Sequence, residues 1–165
     1  MERLWAPWRL QYVTQEKPGG CVFCDKPLQR DDRAAYIVHR GELAYVILNA
    51  YPYNNGHAMV APFAHISNFE ELPPDTLNEM MELAQRCTRA LKLGFHPDGL
   101  NLGFNLGAAA GAGIKDHLHF HLVPRWSGDT NFMPVLSDVR VIPQSLDQTY
   151  AQLVEAFAQL EAEKP

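Results

Sequence analysis

His117-Leu118-His119-Phe120-His121-Leu122-Val123-Pro124 sets three imidazoles in strict alternation with apolar residues. In an extended strand successive side chains point to opposite faces, so the histidines share one face while Leu118, Phe120 and Leu122 share the other. A helix would scatter the three rings around its circumference. The run therefore predicts a strand over His117–Pro124, with Pro124 at its end because proline has no N–H for a ladder. Three adjacent imidazoles cannot all carry protons without repulsion, and as neutral rings each needs a partner. Alternate histidines on a strand suit metal ligation or catalysis, and the triplet alone does not choose between them.

Upstream, turn-rich pieces such as Asn54-Asn55-Gly56 separate four more strand candidates, Ala35–His39, Leu43–Leu48, Ala58–Pro62 and Leu100–Leu106. Leu77, Met80, Met81, Ala84, Cys87 and Leu91 recur at helical spacing behind Pro73-Pro74-Asp75, which predicts a long amphipathic helix stopped by Gly94. A second helix is expected from Ser145, where Ser145 and Gln148 form a capping box, with Leu146, Tyr150, Leu153, Val154, Phe157 and Leu160 along one side. Both apolar stripes read as core or dimer contact. A hairpin and a third strand, a helix, then two more strands describe an α+β fold. Its expected form is an antiparallel sheet of about five strands, with one long helix packed on it and a C-terminal helix.

The chain has 165 residues, 47% of them hydrophobic and 20% charged, which suits a single domain. Its expected parts are an arm over residues 1–20, a core over 21–125 and an extension with a helix over 126–165. Apolar runs are broken every few residues, and Met1-Glu2-Arg3-Leu4-Trp5 lacks a basic region followed by an apolar stretch. A cytoplasmic protein without a membrane partner is expected. The net charge of −5 argues against a broad grip on nucleic acid polymers, so any phosphate must be held by local donors. The run Gly107 through Gly113 has no bulky side chains and could offer backbone N–H groups to an anion just ahead of the triplet.

The three cysteines are expected to be reduced thiols. Cys21-Val22-Phe23-Cys24 has the spacing with which two sulfurs reach one tetrahedral ion; the alternative, a redox pair, lacks a thioredoxin-like βαβ context. Cys87, on the apolar stripe of the long helix, reads as inert core.

The triplet with its apolar spacers and the following Val123-Pro124-Arg125 resembles the signature of the histidine-triad family of nucleotide hydrolases and transferases. Asn49, Asn54-Asn55-Gly56-His57 and His65 resemble that family's Asn, Gly-His and downstream His pattern, and the match extends over about residues 20 to 125. The resemblance implies that His119 is the nucleophile, forming a covalent nucleotidyl-histidine that water or another acceptor then releases. It implies that His121 meets the phosphate or leaving oxygen and that His57 and His117 buttress the site. Asn49 corresponds to the ribose contact, and Asn105 stands where an amide meets the phosphates. Phe23, Ile37 and Leu48 are candidates for the base pocket. The resemblance further implies a structural zinc on Cys21, Cys24, His65 and His117. It implies a homodimer in which two sheets join, with the long Met-rich helix as a candidate interface element.

Asn105-Leu106-Gly107, the stretch from Arg125 through Pro134, and Trp5-Ala6-Pro7-Trp8-Arg9 are similar to the branch containing diadenosine tetraphosphate phosphorylases. The chain departs from the family pattern ahead of the triplet. Many members carry a glycine followed by Gln and a hydroxyl residue, where this chain has Gly111-Ala112-Gly113-Ile114 and one additional residue. A side-chain donor to phosphate is thereby lost, and the backbone N–H groups of Gly111, Ala112 and Gly113 are expected to replace it. The expected activity is cleavage of adenosine-containing polyphosphates such as diadenosine tetraphosphate, by phosphorolysis or hydrolysis. The alternatives are phosphoramidate hydrolysis, a non-catalytic nucleotide-binding module, and a zinc hydrolase with the triplet as three ligands.

Overall fold

The computed structural model describes residues 20–130 and 142–162; the expected N-terminal arm with Trp5 and Trp8, and the stretch from Asn131 through Pro134, lie outside them. Five antiparallel strands, β1 (Ile37–Arg40), β2 (Ala44–Leu48), β3 (Ala58–Pro62), β4 (Gly99–Phe104) and β5 (Phe120–Arg125), lie side by side in the order β1-β2-β3-β5-β4. Among the described residues four α-helices accompany them: α1 (Val22–Leu28), α2 (Asp32–Ala35), α3 (Pro74–Phe95) and α4 (Leu146–Ala162). This is the α+β arrangement that the alternation and helical periods predict. The helices α1 and α2 are too short to display a period and were not anticipated. Ala35, expected to open a strand, instead closes α2, whose cap Tyr36 takes a left-handed conformation (φ 59°). Among the described residues no helix is long and apolar enough to cross a membrane.

One face of the sheet carries the larger core. Val46 and Leu48 of β2, Val60 of β3 and Leu122 of β5 pack beneath Met80, Leu83, Cys87 and Leu91 of α3 and Leu153 and Phe157 of α4. Burying such side chains is worth roughly 1.5–3 kcal/mol each. Pro74 starts α3 at a position where its missing N–H costs nothing. Gly94 does not stop that helix: it continues to Phe95 and ends at His96, left-handed at φ 48°, immediately before Pro97. A Cβ on Gly94 would lie 3.5 Å from the Ala156 Cβ, so this glycine sits where α3 meets α4 rather than at a terminus. The capping box forms, with Ser145 N–H donating to Gln148 Oε1 (3.2 Å) and Gln148 N–H to Ser145 Oγ (3.3 Å).

The opposite face carries Phe23, Ile37, Tyr45, Ile47, Met59 and Ala61. The Tyr45 hydroxyl donates to the Phe23 carbonyl (2.6 Å) and thereby ties α1 to the sheet. The histidine triplet lies on this side, but its ladder begins at Phe120 and not at His117. Continuing the β3–β5 register would set Leu118 against Pro62, which has no N–H to donate. The Leu118 N–H bonds to the Ile66 carbonyl instead (2.8 Å). The alternation survives outside the ladder: Leu118 and Leu122 enter the helix-side core, whereas His117, His119 and His121 are buried on the other side. β4 likewise ends at Phe104 and not at Leu106, just ahead of a turn in which Gly107 takes φ 77°.

Candidate active site

His57 precedes β3 by one residue and is delivered by a tight turn, its N–H donating to the Asn54 carbonyl (3.2 Å) while Gly56 takes φ 74°. A Cβ on Gly56 would also press within 3.2 Å of Pro124, so conformation and space both call for glycine. The Tyr53 N–H donates to His57 Nδ1 (3.0 Å), and the Asn49 amide reaches the same nitrogen (3.3 Å). A neutral imidazole that accepts at Nδ1 carries its proton on Nε2. His57 Nε2 lies 2.9 Å from His121 Nδ1, so His57 donates there and His121 in turn holds its proton on Nε2. That nitrogen looks toward Asn105, 3.5 Å away. The Asn105 atom facing it is the amide nitrogen, and a half-turn of the amide brings the oxygen there to accept from the Nε2–H.

Burial, and then the neighbouring His119, push His121 down from its ordinary value to about 4. Between pH 6.5 and 4 the unfolded chain binds a proton that native His121 refuses, so unfolding free energy falls as pH drops through that window. Above pH 6.5 both forms are neutral and the dependence vanishes. Urea unfolding at pH 7.5 and pH 5 should therefore show a loss of stability on acidification that is smaller in His121→Gln; an identical loss would refute the buried neutral ring.

His119 Nδ1 lies 2.9 Å from the carbonyl of His117. A carbonyl only accepts, so Nδ1 carries the proton and the lone pair of Nε2 is bare. Burial lowers the pKa of this ring, outweighing the carbonyl contact that raises it, and His119 is neutral at pH 7. The Phe23 ring stacks on it at a centroid distance of 4.7 Å. Before it opens a cavity of about 420 Å³, lined by Phe23, Tyr51, Tyr53, Met59 and Ile114 and by the polar Asn49, His119 and His121. An apolar hollow of this size with a few convergent polar groups suits a small ligand with a flat ring.

His117 faces a different way. Its Nε2 donates to the Pro62 carbonyl (2.9 Å), which leaves Nδ1 bare beside Cys21 Sγ (3.3 Å), Cys24 Sγ (3.5 Å) and His65 Nδ1 (3.3 Å). Cys24 Sγ is 3.3 Å from His65 Nδ1, and the four donor atoms lie within 4.8 Å of one another. With metal bonds of about 2.0 Å to nitrogen and 2.3 Å to sulfur, a zinc tetrahedron has edges of roughly 3.3–3.8 Å, so the residues present fit a four-coordinate ion. Burial, then the adjacent Cys21, push the Cys24 thiol up to about 11, so without an ion it keeps its proton at neutral pH, and ligation would release that proton. The carbonyl bond on the far nitrogen fixes the ring for ligation.

The structure thus brings His57, His119, His121, Asn49 and Asn105 into one site and gathers Cys21, Cys24, His65 and His117 into a second beside it. Gly111 and Gly113 line the cavity. The Gly111 and Ala112 N–H groups, however, donate to Ala108 (3.0 Å) and Gly107 (3.2 Å) carbonyls within their own loop. Of the base-pocket candidates, Phe23 lines the cavity, Ile37 lies in the core beneath it, and Leu48 belongs to the opposite face of the sheet. Tyr51 and Tyr53 were missed. Two exposed aromatics flanking a proline next to Asn54-Asn55-Gly56 were the available signal.

The HIT domain family model matches residues 30–128 of this chain. AP-4-A phosphorylase of Mycobacterium tuberculosis is 38% identical over a 166-residue alignment covering 96% of this chain and 85% of that protein. A Zn-bound histidine triad family protein from Mycobacterium smegmatis superposes with a TM-score of 0.71 at 32% identity, over 88% of this chain and 98% of the other. A hypothetical histidine triad nucleotide-binding protein from Sulfolobus tokodaii gives 0.70 at 28% identity, over 86% and 94%.

Proposed function

The chain belongs to the HIT domain family, and on that premise we propose that it is a phosphorylase of dinucleoside polyphosphates, with diadenosine tetraphosphate as substrate and His119 as nucleophile. An adenosine lies in the 420 Å³ cavity, and the bare Nε2 of His119 attacks the α-phosphorus. The bond from that phosphorus to the bridging oxygen breaks and ATP departs with the electron pair. Inorganic phosphate then attacks the same phosphorus, ADP leaves, and the lone pair returns to His119. Asn49 is placed for the ribose, and His57 holds His121. The observation that carries this reading is the Nδ1–H of His119 locked on a main-chain carbonyl, which leaves a neutral nitrogen bare at the cavity.

His121 helps decide the leaving group. Its Nδ1 accepts from His57, and its Nε2–H is left to stabilise a departing anion by hydrogen bonding. A polyphosphate leaves as a stable anion that one N–H suffices to stabilise, and the 38% identity to AP-4-A phosphorylase supports the phosphorylase reading over the phosphoramidase one. A module that only bound nucleotide would have no use for the bare lone pair. Cys21, Cys24, His65 and His117 would hold a zinc, which when bound supplies a closed four-ligand cross-link and no open coordination position. Because His119 and His121 have other partners, this arrangement speaks against the triplet as three ligands of one ion. Unpaired cysteines support a reducing cytoplasm, and exposed Leu102 on edge strand β4, with exposed Leu106 just beyond its end, supports a homodimer joined along that edge.

Incubating the protein with diadenosine tetraphosphate should yield ADP and ATP in the presence of inorganic phosphate. AMP and ATP in equal amounts with and without phosphate would make it a hydrolase, and no cleavage would overturn the reading.

A further inference from the structure

We propose that the groove on the far side of His121 is the binding site for the departing nucleoside polyphosphate, a site distinct from the nucleoside cavity. The proposal rests on the reading of this protein as a dinucleoside polyphosphate phosphorylase. In β4 and β5, Asn101 pairs with Val123 and Gly103 with His121, so these residues share the sheet face of the histidines. They form a groove of about 580 Å³ lined by Tyr53, Asn101, Gly103, Asn105, His121 and Arg125. Tyr53 and His121 line both hollows, whereas His119 lines only the nucleoside cavity.

Direction follows from this arrangement. An in-line displacement at phosphorus sets the attacking and departing atoms on opposite sides. The attacking nitrogen comes from the nucleoside side. The proton-bearing Nε2 of His121 looks the other way, toward Asn105 on the groove wall. The bond that breaks therefore releases its oxygen, with the electron pair, beside that N–H and at the mouth of the groove.

The lining suits a phosphate chain and ribose. Arg125 is held rigid, its Nε and one terminal nitrogen donating to Asp129 (2.7 and 2.8 Å) and the other terminal nitrogen to Asn101 Oδ1 (2.8 Å). Asp129 is itself anchored by the Asn54 amide (2.8 Å) and the Trp126 N–H (3.1 Å). These three bonds leave two of the five guanidinium N–H groups and the Asn101 amide N–H groups for a ligand. Gly103 keeps the floor clear: a Cβ there would meet nothing within 4 Å, so any side chain would stand in the groove directly beside His121.

Calorimetry on His119→Ala, which binds substrate without turning it over, tests this by comparing AMP with diadenosine tetraphosphate. The dinucleotide should bind at least tenfold more tightly than AMP. Adding Gly103→Val should cut that difference to threefold or less while AMP affinity is kept, and Asn101→Leu serves the same comparison if the valine variant does not fold. Equal affinities in the parent, or a difference that survives the substitutions, would overturn the groove assignment alone. Failure of AMP to bind the parent would remove the underlying reading and the groove with it.

Discussion

His119→Ala is expected to fold and to lose turnover of diadenosine tetraphosphate by on the order of 10⁴-fold or more, because no other group in the site can form the covalent intermediate. The fold should survive because the ring borders an open cavity on one side, and its removal enlarges that cavity without emptying the helix-side core. The melting temperature should stay within a few degrees. Wild-type protein quenched in alkali during turnover should carry a nucleotidyl adduct by intact mass, and the variant none. Turnover within tenfold of wild type would sink the nucleophile assignment.

Cys21→Ser is expected to destabilise the chain far more than it slows the chemical step. Zinc binding by such sites is folding free energy. Loss of one ligand should cost at least about 3 kcal/mol, which lowers Tm by about 6–12 °C in a chain of this size. Turnover per folded molecule should fall less than tenfold, since no ligand other than His117 touches His119. Some slowing is expected: Phe23 lies between the two cysteines in sequence, and its ring, stacked on His119, is held by the same helix. Elemental analysis should find one zinc per chain. Zinc-free protein, purified without chelator and with both thiols reduced, would refute the site.

The alternation from His117 to Leu122 sorted side chains correctly onto two faces although half of that stretch is outside the ladder, because extended backbone alternates with or without a partner strand. It did not reveal where pairing starts, which depends on Pro62 lacking an N–H. In β2 the pattern failed for a different reason. All five residues of Ala44–Leu48 are buried, so no polar position tells which face is which, and Leu48 could not be separated from Ile47. The cysteine spacing announced a metal half-site, whereas its completion by His65 and His117 depends on contacts 41 to 96 residues apart. The stacking of Phe23 on His119 was hidden because α1 was too short to be foreseen.

The protonation pattern of the histidines is written largely by the main chain: the Pro62 carbonyl for His117, the His117 carbonyl for His119, and the Tyr53 N–H for His57 and through it His121. A main-chain carbonyl exists whatever side chain its residue bears. The chemistry of this site is therefore tolerant of point substitution around it, and its vulnerability lies elsewhere: a slip of one residue between β3 and β5 would part His117 from the Pro62 carbonyl and His121 from His57 together, while His119, bonded within its own strand, would keep its tautomer.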